Sequence, residues 1–358
     1  MVAKIILDEL YKILPYSQSI GDNLEEIRRS ISTLDLFGYG IEILAFQAGV
    51  GKSHYSKELL RNKDSYLIVT GSHKLLEGEY EDLKAKHWMK FSDKCAKYSS
   101  LVKRLDSLGV SKKFICQIQG CDKRKCPYWR QFNTKKAIAP FHYLATDRVL
   151  KNDDAFKFDM LLVDEAMDYG TYYKLDENSL NGSIHAIGKY EDIKFLENLD
   201  WDDDLFDDLQ ANLSSINNKR YNALLTAMNG QNWADIKNIV NFRPYNLLKY
   251  YYYHSIYGNS SSYYEPLMYR IFDLARQKIP ILMLDASFDL KAYEVTLAKY
   301  IFEHQQKPRE SLLNINLSNF FNLQTFIHET KIREKHKIIH RMDKNNFFYK
   351  KGLLNQNG

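Results

Sequence analysis

Residues with the chemistry to bind a phosphate group occur in one short stretch, Phe46-Gln47-Ala48-Gly49-Val50-Gly51-Lys52-Ser53. Gly49 and Gly51 allow the backbone to curl so that its N–H groups face an anion, and the start of a following helix adds partial positive charge. In such a loop the lysine, Lys52, reaches the β- and γ-phosphates, and the Ser53 hydroxyl is a ligand of Mg²⁺. Phe46 stands where the full pattern has its first glycine. The stretch therefore predicts a nucleotide-binding P-loop.

Two carboxylates follow an apolar run more than a hundred residues later, in Phe158-Asp159-Met160-Leu161-Leu162-Val163-Asp164-Glu165. Asp164 at the end of a strand would hold Mg²⁺ through water, and Glu165 would orient and deprotonate an attacking water molecule. Together with the P-loop, this pair predicts an ATPase in which Lys52, Asp164 and Glu165 are catalytic. Upstream, the amide of Gln18 has the donor and acceptor needed to read an adenine edge. The alternative for Gln18 is an ordinary polar residue near the start of a helix.

All four cysteines of the chain fall within one basic segment, with 20, 4 and 4 residues between them: Cys95, Cys116, Cys121 and Cys126. Four thiolates suit a tetrahedral zinc ion or a 4Fe–4S cluster. The paired Cys-x₂-Cys spacing of zinc ribbons is absent, and the Cys126-Pro127 ending favours iron–sulfur. Zinc, or cysteines without any ligand, are the alternatives. The surrounding lysines and arginines suit either a solvated face or a nucleic-acid backbone.

The composition is that of a globular protein able to bury a sizeable core. The chain has 358 residues, of which 45% are hydrophobic and 27% are charged. The net charge of +5 is too small to indicate nucleic-acid binding by itself. No apolar run approaches the roughly 20 residues that span a bilayer. The early acidic residues argue against a signal peptide, so we expect a cytoplasmic protein with no membrane partner.

Short apolar runs predict the strands that must position these residues. They are 41–45 before the P-loop, 65–70 after its helix, 137–144, 158–163 and 279–284. Several end in small or polar residues, which is where ligands bind in open parallel sheets. Residues 1–36 show helical periodicity, and residues 324–328 alternate weakly. The run Tyr250-Tyr251-Tyr252-Tyr253-His254 is interpreted either as a base-stacking surface or as a half-buried helix face.

The order of these motifs resembles the first motor lobe of the XPD/DinG-like iron–sulfur helicases of superfamily 2. The resemblance rests on Gln18, Gly49-Val50-Gly51-Lys52-Ser53, the four cysteines, Asp164-Glu165-Ala166-Met167 and Asp285-Ala286-Ser287. It covers about residues 10–300. It implies single-stranded or forked DNA as partner and a DNA-backbone contact from Thr70 to His73. Met167 stands where the family usually has His, and Ser287 where it has Thr.

The resemblance implies an α/β fold, a RecA-like P-loop NTPase parallel sheet with two inserts. The expected units are a RecA-like lobe (1–90, 137–170 and 269–300), an iron–sulfur insert (91–136), a mostly helical arch-like insert (171–268) and a C-terminal extension or remnant of a second lobe (301–358). No Gln-x-x-Gly-Arg-x-x-Arg-like motif of a second lobe is found, so we expect the chain either to be truncated or to be completed by a separate protein that supplies that lobe. The alternatives are a single-lobe module that binds ATP and DNA without helicase activity, or a zinc-containing P-loop ATPase.

Overall fold

The computed structural model describes residues 16–19, 25, 26, 29, 40–45, 52–71, 80–144, 146–150, 156–164, 169–193, 205–258, 260–285, 288–304 and 325–329. Eight parallel strands form its main sheet, in the order β1-β10-β2-β9-β6-β3-β5-β4. Their bounds are β1 Tyr16–Ser19, β2 Gly40–Leu44, β3 Tyr66–Thr70, β4 Lys86–His87, β5 Lys136–Pro140, β6 Leu161–Asp164, β9 Pro280–Leu284 and β10 Thr325–Glu329. The predicted α/β class with a parallel sheet is confirmed.

The central strands are apolar on both faces because helices and loops cover the sheet on each side. Every residue of β2 and β3 is buried. Buried hydrophobic residues form one large cluster on one side of the sheet and a smaller one on the other. The predicted strands at 41–45, 65–70, 137–144, 158–163 and 279–284 are thus confirmed, with small shifts in their bounds.

Residues 16–19 and 325–329 lie next to each other in the sheet although they are far apart in sequence, which the sequence does not predict. Helical periodicity was expected throughout residues 1–36, but Tyr16–Ser19 form the edge strand β1. Residues 325–329 belong to the segment predicted as an extension or a remnant of a second lobe. They form β10, which pairs with β1 on one side and with β2 on the other. This segment therefore contributes a strand to the same sheet as β2, the strand before the predicted P-loop.

Two helical regions are inserted between the strands. The cysteine-containing region holds α2 Phe91–Lys94, α3 Ser100–Ser107, α4 Lys112–Ile118 and α5 Pro127–Arg130. The second region begins with β7 Gly170–Lys174 and ends with β8 Ser262–Pro266, which pair as an antiparallel ribbon. Between them lie α6 Glu177–Gly188, α7 Leu205–Asn229, α8 Trp233–Asn241 and α9 Pro244–Tyr257. The remaining helices are α1 Lys52–Arg61, α10 Leu267–Arg276 and α11 Leu290–Glu303.

The two helical regions contact each other through aromatic side chains. The Arg104 guanidinium of α3 lies 3.8 Å from the ring centre of Trp233 in α8. Phe114 of α4 meets Tyr221 of α7 edge to face, with ring centres 5.0 Å apart. These contacts place the cysteine-containing region against the long helix α7 rather than leaving it as a separate appendage.

The tyrosine run lies in α9 and is largely structural. Tyr250, Tyr251 and Tyr253 are buried, which matches the interpretation of this run as a helix face. Among the described helices, none combines the length and the apolar character that a bilayer span requires.

Candidate functional site

The register of the parallel sheet brings the predicted site residues to one edge. One residue from each of six adjacent strands lies at the same level: Gln18, His328, Leu44, Leu284, Asp164 and Thr70. Each of these six strands ends at the residue named or at the residue after it. The segment after Leu44, which contains the predicted P-loop, therefore starts one strand away from the end of the strand that carries Asp164. This common edge is the usual place for a ligand in an open parallel sheet.

One strand, β9, separates the P-loop strand β2 from the Asp164 strand β6. Neighbouring strands are about 4.8 Å apart, so the ends of β2 and β6 are separated by about 10 Å. Between them lies Asp285, which is 1% exposed and whose backbone N–H donates to the Leu44 carbonyl at 3.3 Å. Asp285 is therefore a further carboxylate residue at this edge, between Leu44 and Asp164.

Lys52 and Ser53 form the first residues of α1, directly after the P-loop. Helix α1 is fixed at its other end, where Lys57 and Arg61 bind the Asp82 carboxylate at 3.0 and 2.6 Å. The hydrogen bond from Lys57 holds the pKa of Asp82 below its usual range. The helix is thus anchored with its positive end at the strand edge. Gly49, Gly51 and Glu165, which were predicted to complete the site, lie outside the described residues.

Tyr80 is a residue of the site that the sequence did not reveal. Its ring is buried, and its hydroxyl donates a hydrogen bond to Asp164 Oδ2 at 3.0 Å. The Lys57 ammonium lies 5.8 Å from the centre of the same ring. Tyr80 therefore fixes the orientation of the carboxylate predicted to hold Mg²⁺. A single tyrosine outside any motif gives no sequence signal for such a role.

The backbone of Gln18 lies in β1, separated from β2 by the strand β10. It is level with Leu44, the last residue of β2, through the paired residue His328. The predicted adenine-reading residue is therefore on the correct edge of the sheet, on the side of β2 opposite to Asp164. The DNA-contacting turn predicted at Thr70 to His73 begins at this edge as well, since Thr70 pairs with Asp164.

The four cysteines gather in one region next to the main core. Cys116 is buried in the core, and Cys95, Cys121 and Cys126 pack against it. Burial raises the pKa of the Cys116 thiol, and the nearby Cys121, Cys126 and Cys95 act in the same direction. The Trp129 indole N–H donates to Cys116 Sγ at 3.2 Å. Raised pKa values favour neutral thiols, which must lose their protons before they can bind a metal.

The fit of these thiols to a metal group is incomplete. Among the described residues, no three Cys, His, Asp or Glu side chains are arranged to hold a metal ion. The hydrogen bond from Trp129 acts against burial, because it lowers the pKa of the Cys116 thiol. Binding of zinc or of a 4Fe–4S cluster would require the cysteine side chains to reorient, although the four residues already share one region.

The surface of the cysteine-containing region is strongly basic. Residues 91–136 contain twelve lysines and arginines against three aspartates, in a chain whose total excess is only +5. The remainder of the chain is therefore slightly acidic. Most of these cations are exposed to solvent: Lys94, Lys97, Lys103, Arg104, Lys113, Lys123, Arg124, Lys125, Arg130 and Lys135. Such a one-sided distribution of charge attracts polyanions.

Comparison with known proteins adds two distant structural neighbours. A solved structure described as "Truncated XPD" has a TM-score of 0.41 and 13% sequence identity, covering 86% of this chain and 99% of that one. One described as "XPD_APO" has a TM-score of 0.35 and 13% identity, covering 74% of this chain and 53% of that one. No protein-family model matches the chain, and neither does any curated protein sequence. Likeness of this degree assigns no family, so the function is argued from the residues at the strand edge.

Proposed function

We propose that this chain binds ATP and Mg²⁺ at the carboxyl edge of its sheet and binds single-stranded or forked DNA, as a helicase-like ATPase module. The main support for the proposal is the register of the parallel strands, which aligns Leu44, Leu284, Asp164 and Thr70 at one edge of the sheet. Motif residues far apart in sequence meet at one edge only because the strands are parallel and in this order.

Each residue at the edge has a distinct role in the proposal. Lys52 neutralises charge on the β- and γ-phosphates, and the Ser53 hydroxyl and the Asp164 carboxylate hold Mg²⁺. Glu165 orients the attacking water and accepts its proton. Gln18 contacts the adenine. The basic region at 91–136 supplies the electrostatic attraction for the DNA backbone.

The P-loop assignment is tested by replacing its lysine. In the Lys52→Ala variant the cation opposite the phosphates is lost, so the affinity for ATP–Mg²⁺ should fall at least tenfold, or about 1.4 kcal/mol. The measurement is equilibrium binding of a fluorescent ATP analogue in the presence of Mg²⁺. Lys63→Ala, which changes a lysine just beyond the end of α1, is the matched control and should bind ATP as the wild type does. Equal affinity in the wild type and in Lys52→Ala would refute the assignment.

We further propose that Cys95, Cys116, Cys121 and Cys126 bind one 4Fe–4S cluster, supported by their gathering in a single region. Protein purified without oxygen should then contain about four iron atoms per chain and absorb near 400 nm. The serine variant Cys121→Ser should lose both signals. Metal analysis distinguishes the alternatives, because stoichiometric zinc without iron would show a zinc site, and the absence of both metals would show structural thiols.

A further inference from the structure

A second cavity, separate from the P-loop edge, has the size of a small-molecule site. Its volume is about 470 Å³, within the range of roughly 300–1,000 Å³ that is usual for ligand pockets. It lies between the turn that follows β5, the β7–β8 ribbon, the first turns of α9 and helix α10. We call it the ribbon cavity.

Aromatic rings line the ribbon cavity and remain partly exposed. Tyr245 at the start of α9 is 56% exposed, and Tyr169 before the ribbon is 43% exposed. Tyr169 meets Phe141 edge to face, with ring centres 4.6 Å apart. Exposed tyrosine rings offer flat faces on which a planar ligand stacks, and stacking of one nucleobase on such a ring contributes about 1–3 kcal/mol.

Most charged side chains that line the ribbon cavity form ion pairs or hydrogen bonds with other side chains. The Lys249 ammonium binds Glu265 Oε2 at 2.8 Å, and the Tyr173 hydroxyl donates to Glu265 Oε1 at 3.3 Å. The Asp273 carboxylate accepts from the Tyr300 hydroxyl at 2.6 Å. These groups hold the wall together and leave Arg270 as the cation with no carboxylate partner in the part of the chain described.

The side chain of Arg270 is held in place through the Nε atom of its guanidinium. Its Nε–H donates to the Leu144 carbonyl at 3.0 Å, and the described residues form no ion pair with it. The two terminal nitrogens of an arginine make a planar, paired contact with a phosphate. One such cation suits one phosphate group. A triphosphate would add further negative charge close to the Glu265 and Asp273 carboxylates of the same cavity, without a further unpaired arginine among the described lining residues to offset it.

We propose that the ribbon cavity holds one nucleoside monophosphate unit, with its phosphate at Arg270 and its base against Tyr245 and Tyr169. The unit is either a free mononucleotide or one nucleotide of a bound strand. Tyr169 also lies against Gly71, where an added Cβ would come within 2.3 Å of its hydroxyl. Tyr169, which lines the cavity, therefore lies next to the residue that follows β3. The proposal is independent of the P-loop assignment.

The experiment uses the full chain carrying Lys52→Ala, so that binding at the P-loop is suppressed. Calorimetry measures binding of AMP, of CMP, of inorganic phosphate and of a 5′-phosphorylated trinucleotide. In this background Arg270→Gln should lower the nucleotide affinity about tenfold or more. Tyr245→Ala should lower it at least about fivefold, since a stacking face is lost. Lys291→Gln, an exposed change on α11, should leave it unaltered.

The results distinguish a free mononucleotide from one nucleotide of a bound strand, and they also show when the proposal is wrong. Binding of both mononucleotides and trinucleotide supports a free ligand, and binding of the trinucleotide alone supports a nucleotide within a strand. The proposal is overturned if neither binds, if phosphate binds as tightly as AMP, or if Tyr245→Ala and Arg270→Gln both bind normally. Because Tyr245 is exposed, its replacement tests the site even if Arg270→Gln fails to fold. ATP affinity of the chain with Lys52 intact tests the P-loop separately.

Discussion

At the scale of single residues, the hydrogen bond from Tyr80 to Asp164 gives the candidate Mg²⁺ ligand a fixed orientation. A hydrogen bond to an ionised carboxylate is charge-assisted and contributes about 1.5–3 kcal/mol. Tyr80→Phe should therefore weaken Mg²⁺-dependent ATP binding by about tenfold or more, while binding of ATP without Mg²⁺ stays unchanged. A magnesium titration of the fluorescent ATP complex measures the difference.

The matched control for this prediction is Tyr66→Phe. Tyr66 is another buried tyrosine in the same core cluster as Tyr80, and its hydroxyl donates to the Leu83 carbonyl at 3.3 Å rather than to Asp164. Its replacement should leave the magnesium dependence as in the wild type. A similar weakening in both variants would mean that general destabilisation, and not the orientation of Asp164, caused the effect.

At the scale of elements, Glu303 joins the end of α11 to helix α9 of the second inserted region. Its carboxylate accepts from the Tyr257 hydroxyl, and its backbone carbonyl accepts from the Tyr252 hydroxyl. The side chain is 3% exposed, and burial raises the pKa of the Glu303 carboxyl. A raised pKa in the folded state means that the stabilising contribution is present at low pH and is lost as the pH rises through that pKa.

We therefore expect the wild type to lose more stability than Glu303→Gln as the pH rises above about 4.5, the ordinary pKa of a glutamate. Thermal unfolding of both proteins across this pH range measures this difference. The comparison between variants is needed because burial lowers the pKa of His304, so acidification also destabilises the fold through that residue. Glu294→Gln, a half-buried change on the same helix, should follow the wild type. An identical pH profile for wild type and Glu303→Gln would contradict the prediction.

At the scale of the whole molecule, the distribution of charge over the surface matters more for DNA binding than the net charge. The exposed cations of residues 91–136 form the basic face, whereas the rest of the chain is slightly acidic. Each phosphate contact with a single strand contributes about −0.7 to the slope of log K against log salt concentration. Replacing Lys123, Arg124 and Lys125 together by glutamine should therefore reduce the slope for single-stranded DNA by up to about 2.

Filter binding of a labelled single strand over a range of salt concentrations measures that slope. The control carries the same number of neutralised charges elsewhere, at the exposed residues Lys237, Lys291 and Lys299. If both triple variants change the slope equally, only net charge matters and the basic face is not the binding surface. If the wild type does not bind the strand even at low salt, the proposed DNA partner is wrong.

Local sequence was sufficient to predict the features that depend on neighbouring residues. The glycines and Lys52-Ser53 after an apolar run predicted a strand followed by a helix, and both β2 and α1 are present. The run ending at Asp164 likewise predicted β6. These elements are specified by residue type and short-range periodicity, which act over a few residues. The gathering of the cysteines followed from their proximity in sequence.

Only the tertiary structure determined which strands are neighbours. The pairing of β10 with β1 and β2 joins residues about 300 positions apart, and neither short strand has a pattern strong enough to predict its partner. The Tyr80–Asp164 hydrogen bond and the ribbon cavity arise in the same way, from segments distant in sequence. Strand order is set by how the buried faces of all elements pack together, a property of the whole chain and not of any single segment.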